Sequence, residues 1–218
     1  MISARLKSLA KYIENDDNII DIGCDHALLD IYLIKNKLID NIIVSDIHEN
    51  ALKVGIDNIS KNKLSNSIDA RLGNGLEVLN NEDKIDTILI SGMGTSTILN
   101  ILDNNHLSKI NKLILQSNNN HEELRKGVIN LGFYIEAEEY LVDNKKNYIN
   151  IIFKRGKKKY SKKELKYGPF LLKDTSYLKF EIENCKKIKN LIPNMKIKNR
   201  LSLNREIMLL NKYLKRGE

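Results

Sequence analysis

The sequence predicts an α/β fold: a largely parallel sheet ending in a terminal antiparallel hairpin, followed by a C-terminal antiparallel helical pair. Three observations carry this. Short β-branched runs alternate with helical patterns from residue 19 onward, the sign of successive βαβ units. Two strand-like runs, Phe133–Val142 and Asn147–Arg155, are separated only by Asp143–Lys146, a link that permits antiparallel pairing but no right-handed crossover. Beyond Gly156 the apolar spacing turns helical and the charge turns basic.

Taken in order, Leu6, Leu9 and Ile13 stand at helical spacing, so a short helix packs on the sheet. The strands follow at Ile19–Ile22, Ile42–Ser45, Ile68–Leu72, Thr87–Ser91 and Lys112–Gln116. Helical stretches near 27–36, 49–62, 95–103 and 120–131 separate or follow them, with Gly132 as a C-cap. Five parallel strands closed by a hairpin is the arrangement of a Rossmann-like class I methyltransferase sheet, and residues 1–156 form that domain. GKKKYSKKELK is a charged link into residues 157–218, a basic helical region. There Leu178, Ile182, Cys185, Ile188 and Ile192 form one apolar stripe, and Leu203, Ile207, Leu210 and Leu214 form another. A turn at Pro193-Asn194 lets the two stripes bury each other.

The 218 residues carry a net charge of +8, unevenly placed. Residues 1–150 hold 16 Lys and Arg against 22 Asp and Glu, a balance of −6, whereas residues 151–218 hold 20 against 6, a balance of +14. A polyanion is drawn to the second part by Coulomb attraction and counterion release. The plainer reading is a solvated basic face inflated by AT-rich coding bias, but such bias acts on both parts alike. The chain contains no apolar run long enough for a membrane span and no signal-peptide pattern. Two cysteines exclude a disulfide framework or a four-cysteine zinc site. The expectation is a cytoplasmic protein without metal, monomeric because its helical pair satisfies itself.

The chemistry concentrates where strands end, since ligands of such sheets bind outside the carboxyl ends near the switch point. In IIDIGCDHALLDIYL, residues 19–33, Gly23 lets a ligand approach the backbone, nearby amides supply donors, and Asp21 suits an amino group. Asp25 and His26 occupy places where a dinucleotide fingerprint needs glycines. S-adenosylmethionine, which has an amino group and no phosphate, fits better. Asp46 after the second strand accepts from ribose hydroxyls or caps the next helix. Asn74 meets an adenine amino group or simply turns the chain with Gly73 and Gly75. Cys24 and Ile47 complete the cofactor set. Gly92, Met93 and Gly94 put low-profile backbone beside the transfer site, ahead of a helix capped by Thr95 or Ser96.

These residues resemble the bacterial tRNA (adenine(22)-N(1))-methyltransferases. The resemblance is carried by SARLKSLAKYI at 3–13, DIGCDHALLDIY at 21–32, GNGLEVL at 73–79, ISGMGTS at 90–96, LILQSN at 113–118 and YGPFLLK at 167–173. Thr95 stands where that family usually has a second glycine-rich position, and Ser117 where it has a proline. The resemblance implies methyl transfer from S-adenosylmethionine to adenine N1 in the tRNA D-loop. Asp25 then contacts the target adenine, or alternatively caps the helix from Ala27. His26 borders the site, and Asn118 shapes the base pocket or caps a loop. His48, His106 and His121 have no metal-ligand spacing and read as surface residues. Tyr167 and Phe170 lock the C-terminal region onto the sheet or stack on a base, and Lys157, Lys158, Lys159, Lys162 and Lys163 contact phosphates. Methylation of another RNA or a protein, or noncatalytic RNA binding on a methyltransferase-like fold, are the alternatives.

Overall fold

The computed structural model describes residues 2–192 and 196–217. Helix α1 (Ala4–Ala10) starts where the Ser3 side chain accepts from the Leu6 amide, and it turns Leu9 fully inward. The sheet then runs β1 (Ile19–Ile22), β2 (Ile42–Asp46), β3 (Ile68–Leu72), β4 (Thr87–Met93), β5 (Lys112–Ser117), β6 (Phe133–Asp143) and β7 (Lys146–Arg155). Its order is β3-β2-β1-β4-β5-β7-β6. The first five strands pair in parallel, and β7 runs antiparallel to β5 with Leu113 opposite Phe153. Asn144 and Lys145 between β6 and β7 both take positive φ, 48° and 64°, the backbone of a two-residue hairpin turn.

Helices α2 (Leu28–Lys35), α3 (Glu49–Lys61), α4 (Thr95–Leu102) and α5 (His121–Asn130) follow β1, β2, β4 and β5. Strands β1, β2 and β5 are buried along their whole length. That is why their sequence reads as continuous apolar runs rather than alternation. Each buried Ile or Leu contributes roughly 1.5–3 kcal/mol. Strand order reverses at β1, which pairs with β2 on one side and β4 on the other. The carboxyl ends of these strands therefore bound the crevice where a ligand belongs.

The chain divides into two compact units, Met1–Ala137 with Leu141–Lys158, and Glu138–Tyr140 with Lys159–Glu218. Three residues from the middle of β6 thus group with the second unit, a feature with no mark in the sequence. In that unit Tyr140 stacks on Phe180 at 5.3 Å and meets Tyr177 edge-on at 5.7 Å. It contains α6 (Lys162–Tyr167), closed by a Ser161/Glu164 capping box, α7 (Thr175–Leu191) and α8 (Ile197–Gly217). The lysine-rich link is therefore partly helical. Tyr167 is buried and donates to Glu206 at 2.9 Å, a bond within this unit, whereas Phe170 is exposed.

Helices α7 and α8 pack together, and Lys189 late in α7 donates to Asn204 early in α8 at 2.9 Å. The stripes are less buried than their spacing implies. Leu178, Ile182, Cys185 and Leu210 are covered, but Ile188 and Ile192 are 45% and 49% exposed, and Leu203, Ile207 and Leu214 are half-buried. Two helices shield only the side they share. Full burial needs the extra cover of the short turn at Leu171–Lys173, which packs on both. The expected turn at Pro193-Asn194 lies outside the described residues. Among the described residues no helix is long and apolar enough to cross a membrane.

Candidate active site

A cavity of about 850 Å³ opens at the carboxyl ends of β1, β2 and β4. Asp21, Gly23, Cys24, Asp25, His26, Asp46, Ile47, Asn74, Gly75, Gly92 and Met93 all line it. Gly94 and Asn118 do not, and the lysines are elsewhere: Lys157 and Lys158 are exposed in the first unit, and Lys159, Lys162 and Lys163 are exposed in the second.

The turn after β1 is held from below. The amides of Gly23 and Cys24 both donate to Ser45 O (2.8 and 3.1 Å), that of Asp25 to Asp46 Oδ2 (3.3 Å), and that of Ala27 to Cys24 O (2.8 Å). These four amides are therefore spent inside the protein, contrary to the expectation that they serve a ligand. A pyrophosphate would need them free. The turn instead presents carboxylates. Asp25 and Ala27 adopt left-handed backbone with φ of 50° and 53°, and α2 begins only at Leu28 without a side-chain cap. Asp25 is therefore no helix cap. Its carboxylate is largely exposed at the cavity rim, 3.7 Å from His26 Nε2. Underneath, Gly55 of α3 leaves room for the turn, since a Cβ there would meet Asp25 O at 3.0 Å. Asn58 also donates to His26 O at 3.1 Å.

Asp46 does not cap α3 either. Position His48 precedes that helix, and Asp46 Oδ1 accepts from its amide at 2.8 Å. Each Asp46 oxygen thus holds one backbone donor and keeps a further lone pair for a ligand. Ile47 projects a 60% exposed apolar side chain beside it. Across the cavity, Asn74 bonds Glu77 Oε1 at 3.3 Å, and Gly75 takes φ +57° close under Ile101.

Strand β4 runs two residues past its predicted end. Gly92, at φ +82°, forms a register shift between Ser91 and Met93. Asn118 fixes this bulge by donating to Gly92 O (2.6 Å) and to Met93 O (2.9 Å), so it acts behind the wall and not in the pocket. Neither Thr95 nor Ser96 caps α4. Gly94 holds the cap position and Asn119 Oδ1 accepts the Thr95 amide at 3.1 Å. The Thr95 and Ser117 hydroxyls bond each other at 2.9 Å, so the two departures from the family pattern form one contact.

Several functional residues escaped the sequence reading. Arg5 lines the cavity and belongs to a buried ring of hydrogen bonds. Its Nη1 donates to Gln116 Oε1 (2.8 Å), Gln116 donates to Asn150, Asn150 to Ser8 Oγ (2.8 Å), and Ser8 back to Arg5 O (2.6 Å). In SARLKSLAKYI nothing about a lone arginine announces such a ring. Asp30, which the sequence does not single out within the stretch near 27–36, is a fully buried carboxyl beside Asp21. Burial, with the Asp30 charge, pushes Asp21 well above the usual carboxylate range, and burial pushes Asp30 up to about 7. Burial and these same aspartates push the Cys24 thiol up as well, so it is no nucleophile. His121 is not a surface residue. It is half-buried, with Nε2 3.1 Å from Ser117 O, and burial holds it down to about 4. Among the described residues no group of three or more His, Cys, Asp or Glu could hold a metal ion.

The cavity suits an adenosyl ligand with an amino acid tail. Asp21, Asp46 and Asn74 bring two carboxylates and an amide to its wall, and the Met93 side chain packs against Gly23 where a Cβ would otherwise stand. Residues 19–212 match the TrmK family, described as tRNA (adenine(22)-N(1))-methyltransferase. The chain belongs to this family. It is 31% identical over 157 residues to the tRNA (adenine(22)-N(1))-methyltransferase of Bacillus subtilis, which takes in 71% of this chain and 66% of that enzyme. The TrmK of M. capricolum, solved with the product S-adenosyl-homocysteine, superimposes with a TM-score of 0.83 at 35% identity, covering 99% of this chain and 98% of that one. A Streptococcus pneumoniae protein solved with S-adenosyl-L-methionine gives a TM-score of 0.88 at 30% identity, covering 98% and 100%. Both extend through the C-terminal unit, so the TrmK family likeness is not confined to the sheet.

Proposed function

We propose that this chain binds S-adenosylmethionine in the 850 Å³ cavity and methylates N1 of adenine 22 in the D-loop of tRNA. The observation that carries the reading is the convergence of Asp21, Asp46, Asn74 and Gly92, from four strand ends, on one cavity in a chain of the TrmK family. When bound, the cofactor supplies an electrophilic methyl group on a sulfonium. Asp46 accepts from the ribose hydroxyls, Asn74 from the cofactor's adenine amine, and Asp21 from the ammonium group. Gly23, Gly92 and Met93 bring backbone and a slim side chain to the transfer site, while Cys24, Ile47 and Gly75 complete the walls.

Adenine N1 has a free lone pair in the neutral base, so its attack requires neither a strong general base nor a metal. Catalysis rests on alignment and on electrostatic stabilisation of the cationic product. Asp25 at the rim accepts from the target N6 amine and stabilises that positive charge, with His26 beside it. N1 lies on the Watson–Crick edge, so a paired or stacked target must first be exposed. Asn118 holds the Gly92-Met93 wall in place. Lys157, Lys158, Lys159, Lys162 and Lys163 contact tRNA phosphates. Lys158 also lies 3.9 Å above the Tyr134 ring and 3.8 Å from Glu136, so it contributes less. The enzyme works as a cytoplasmic monomer.

The test is methyl transfer from labelled S-adenosylmethionine to unmodified total tRNA, followed by nucleoside analysis. N1-methyladenosine is expected, and another methylated nucleoside would overturn the substrate assignment. Asn tolerates the left-handed backbone at position 25. Asp25→Asn should therefore bind S-adenosyl-homocysteine as wild type does while transfer slows about 10- to 100-fold, the worth of a charge-assisted hydrogen bond. Equal loss of binding and transfer would remove Asp25 from the catalytic role.

A further inference from the structure

Asp30 has no part in the reaction just described, yet it is an anomalous group. It lies on the buried face of α2 with Leu29, Ile31 and Leu33. Its side chain is 0% exposed and, among the described residues, neither carboxyl oxygen has a hydrogen-bond partner. A carboxylate stripped of water and of donors is costly unless it takes up a proton or meets a cation. The group beside it is Asp21 of β1, 5% exposed, which lines the cavity. Two carboxyls can bond each other only when one carries a proton. The other charges bearing on Asp21 are Arg5 from α1, which attracts, and Asp46 from β2, which repels. Arg5 Nη1 is already engaged by Gln116. Asp21 therefore faces the cavity with Asp30 behind it, the two forming a carboxyl–carboxylate couple of which only Asp21 lines the wall.

We infer that Asp30 is a positioning residue of the cofactor site, sharing one proton with Asp21 and losing it when a ligand's ammonium group docks on Asp21. The inference rests on the cofactor reading above. In the free protein the two carboxyls hold the proton between them. As the ammonium N–H donates to Asp21, the shared proton leaves for solvent, and two carboxylates remain against one cation. Asp30 acts through Asp21, by supplying the second negative charge that strengthens the grip on the ammonium group.

The direction of the pH dependence follows. Burial raises both carboxyls in the free protein, so the couple is protonated near neutrality. A docked cation favours the charged forms and lowers them again. Between the free and bound values, binding releases a proton, and affinity rises with pH by at most about tenfold per unit. The rise ends near pH 8, roughly where a free α-amino group loses its charge.

The experiment is calorimetric titration with S-adenosyl-homocysteine across that range, in buffers of different ionisation enthalpy, which count the protons released. Wild type should release close to one proton at neutral pH. Asp30→Asn preserves the shape and gives Asp21 an amide donor, so the fold should persist, which the melting temperature checks. This variant should release almost none, and its affinity should be nearly flat with pH. Binding without proton release in wild type, or equal release in Asp30→Asn, would overturn the inference and leave Asp30 a space-filling residue. Failure of wild type to bind S-adenosyl-homocysteine would refute the cofactor reading itself, and this inference with it.

Discussion

Replacing Gly23 by Ala tests whether the turn after β1 is a cradle for a ligand or only a connection. Gly23 sits at φ +80°, and an added Cβ would meet Met93 Cε at 2.2 Å. Left-handed backbone costs a residue with a Cβ about 1–2 kcal/mol. Overpacking adds about 1 kcal/mol here, at the low end of its range because the obstructing atom ends a flexible chain. The sum, about 2–3 kcal/mol, corresponds to a melting-temperature loss of about 4–12 °C for a chain of this size. Met93 has to swing aside, and it lines the cavity with Gly23, so S-adenosyl-homocysteine affinity should fall about tenfold or more. Calorimetric binding and thermal melting read the two effects separately. Gly127→Ala is the control: its Cβ would meet Leu99 Cδ2 at 2.5 Å, away from the cavity lining, so it should lose stability and keep affinity. The reasoning is refuted if Gly23→Ala melts and binds like wild type, or if Gly127→Ala loses affinity as much.

Two further predictions concern stability away from the ligand. His121, held down to about 4 by burial and then by Arg125, stays neutral in the folded state while the unfolded chain protonates near 6.5. Its contribution is complete above pH 6.5 and is lost as pH falls toward 4, by at most about 3 kcal/mol. In His121→Gln the urea midpoint should fall less over that window, and a fall parallel to wild type would disprove the assignment. Lys112 is buried at the amino end of β5, with Asp17 Oδ2 at 2.7 Å and Glu14 Oε2 at 3.3 Å. Lys112→Met strands a buried Asp17 charge and should cost about 3–5 kcal/mol in urea denaturation. Its binding of S-adenosyl-homocysteine should not change, because the cavity is at the opposite strand ends, and a matched loss of affinity would contradict this.

The sheet was legible because its central strands are buried on both faces, so Ile19–Ile22 or Ile42–Ser45 can hardly be anything else. The cavity was legible in part for a related reason. A glycine or an aspartate at the carboxyl end of a strand has few places to point, and Asp21, Gly23, Asp46, Asn74 and Gly92 were found on that ground alone. What hid were relations rather than residues. Asp25 and Ala27 looked like the start of a helix, but left-handed backbone at both delays it to Leu28. Asp30 is one carboxyl within an otherwise apolar helical run, and nothing in its spacing marks it as buried. Asn118 reads as a base-pocket or loop-capping residue and Asn119 carries no mark at all, yet their work is to pin the Gly92 bulge and the start of α4. Arg5 and Ser8 are neighbours on α1, but they meet Gln116 and Asn150 across separations of 111 and 142 residues, which no local pattern encodes.

The same ring bears on the order in which the protein can be finished. Chains emerge from the ribosome amino end first. Arg5 and Ser8 are therefore made at the outset, while Gln116 and Asn150 arrive only after most of the sheet. Until β7 takes its place against β5, the Arg5 side of the cavity lacks its polar partners, although every glycine and aspartate of the cofactor set has already been synthesised. A nascent chain that stops short of Asn150 carries every glycine and aspartate that lines the cavity, and an open wall. Completion of that wall is thus decided by a strand that contributes no residue to the lining.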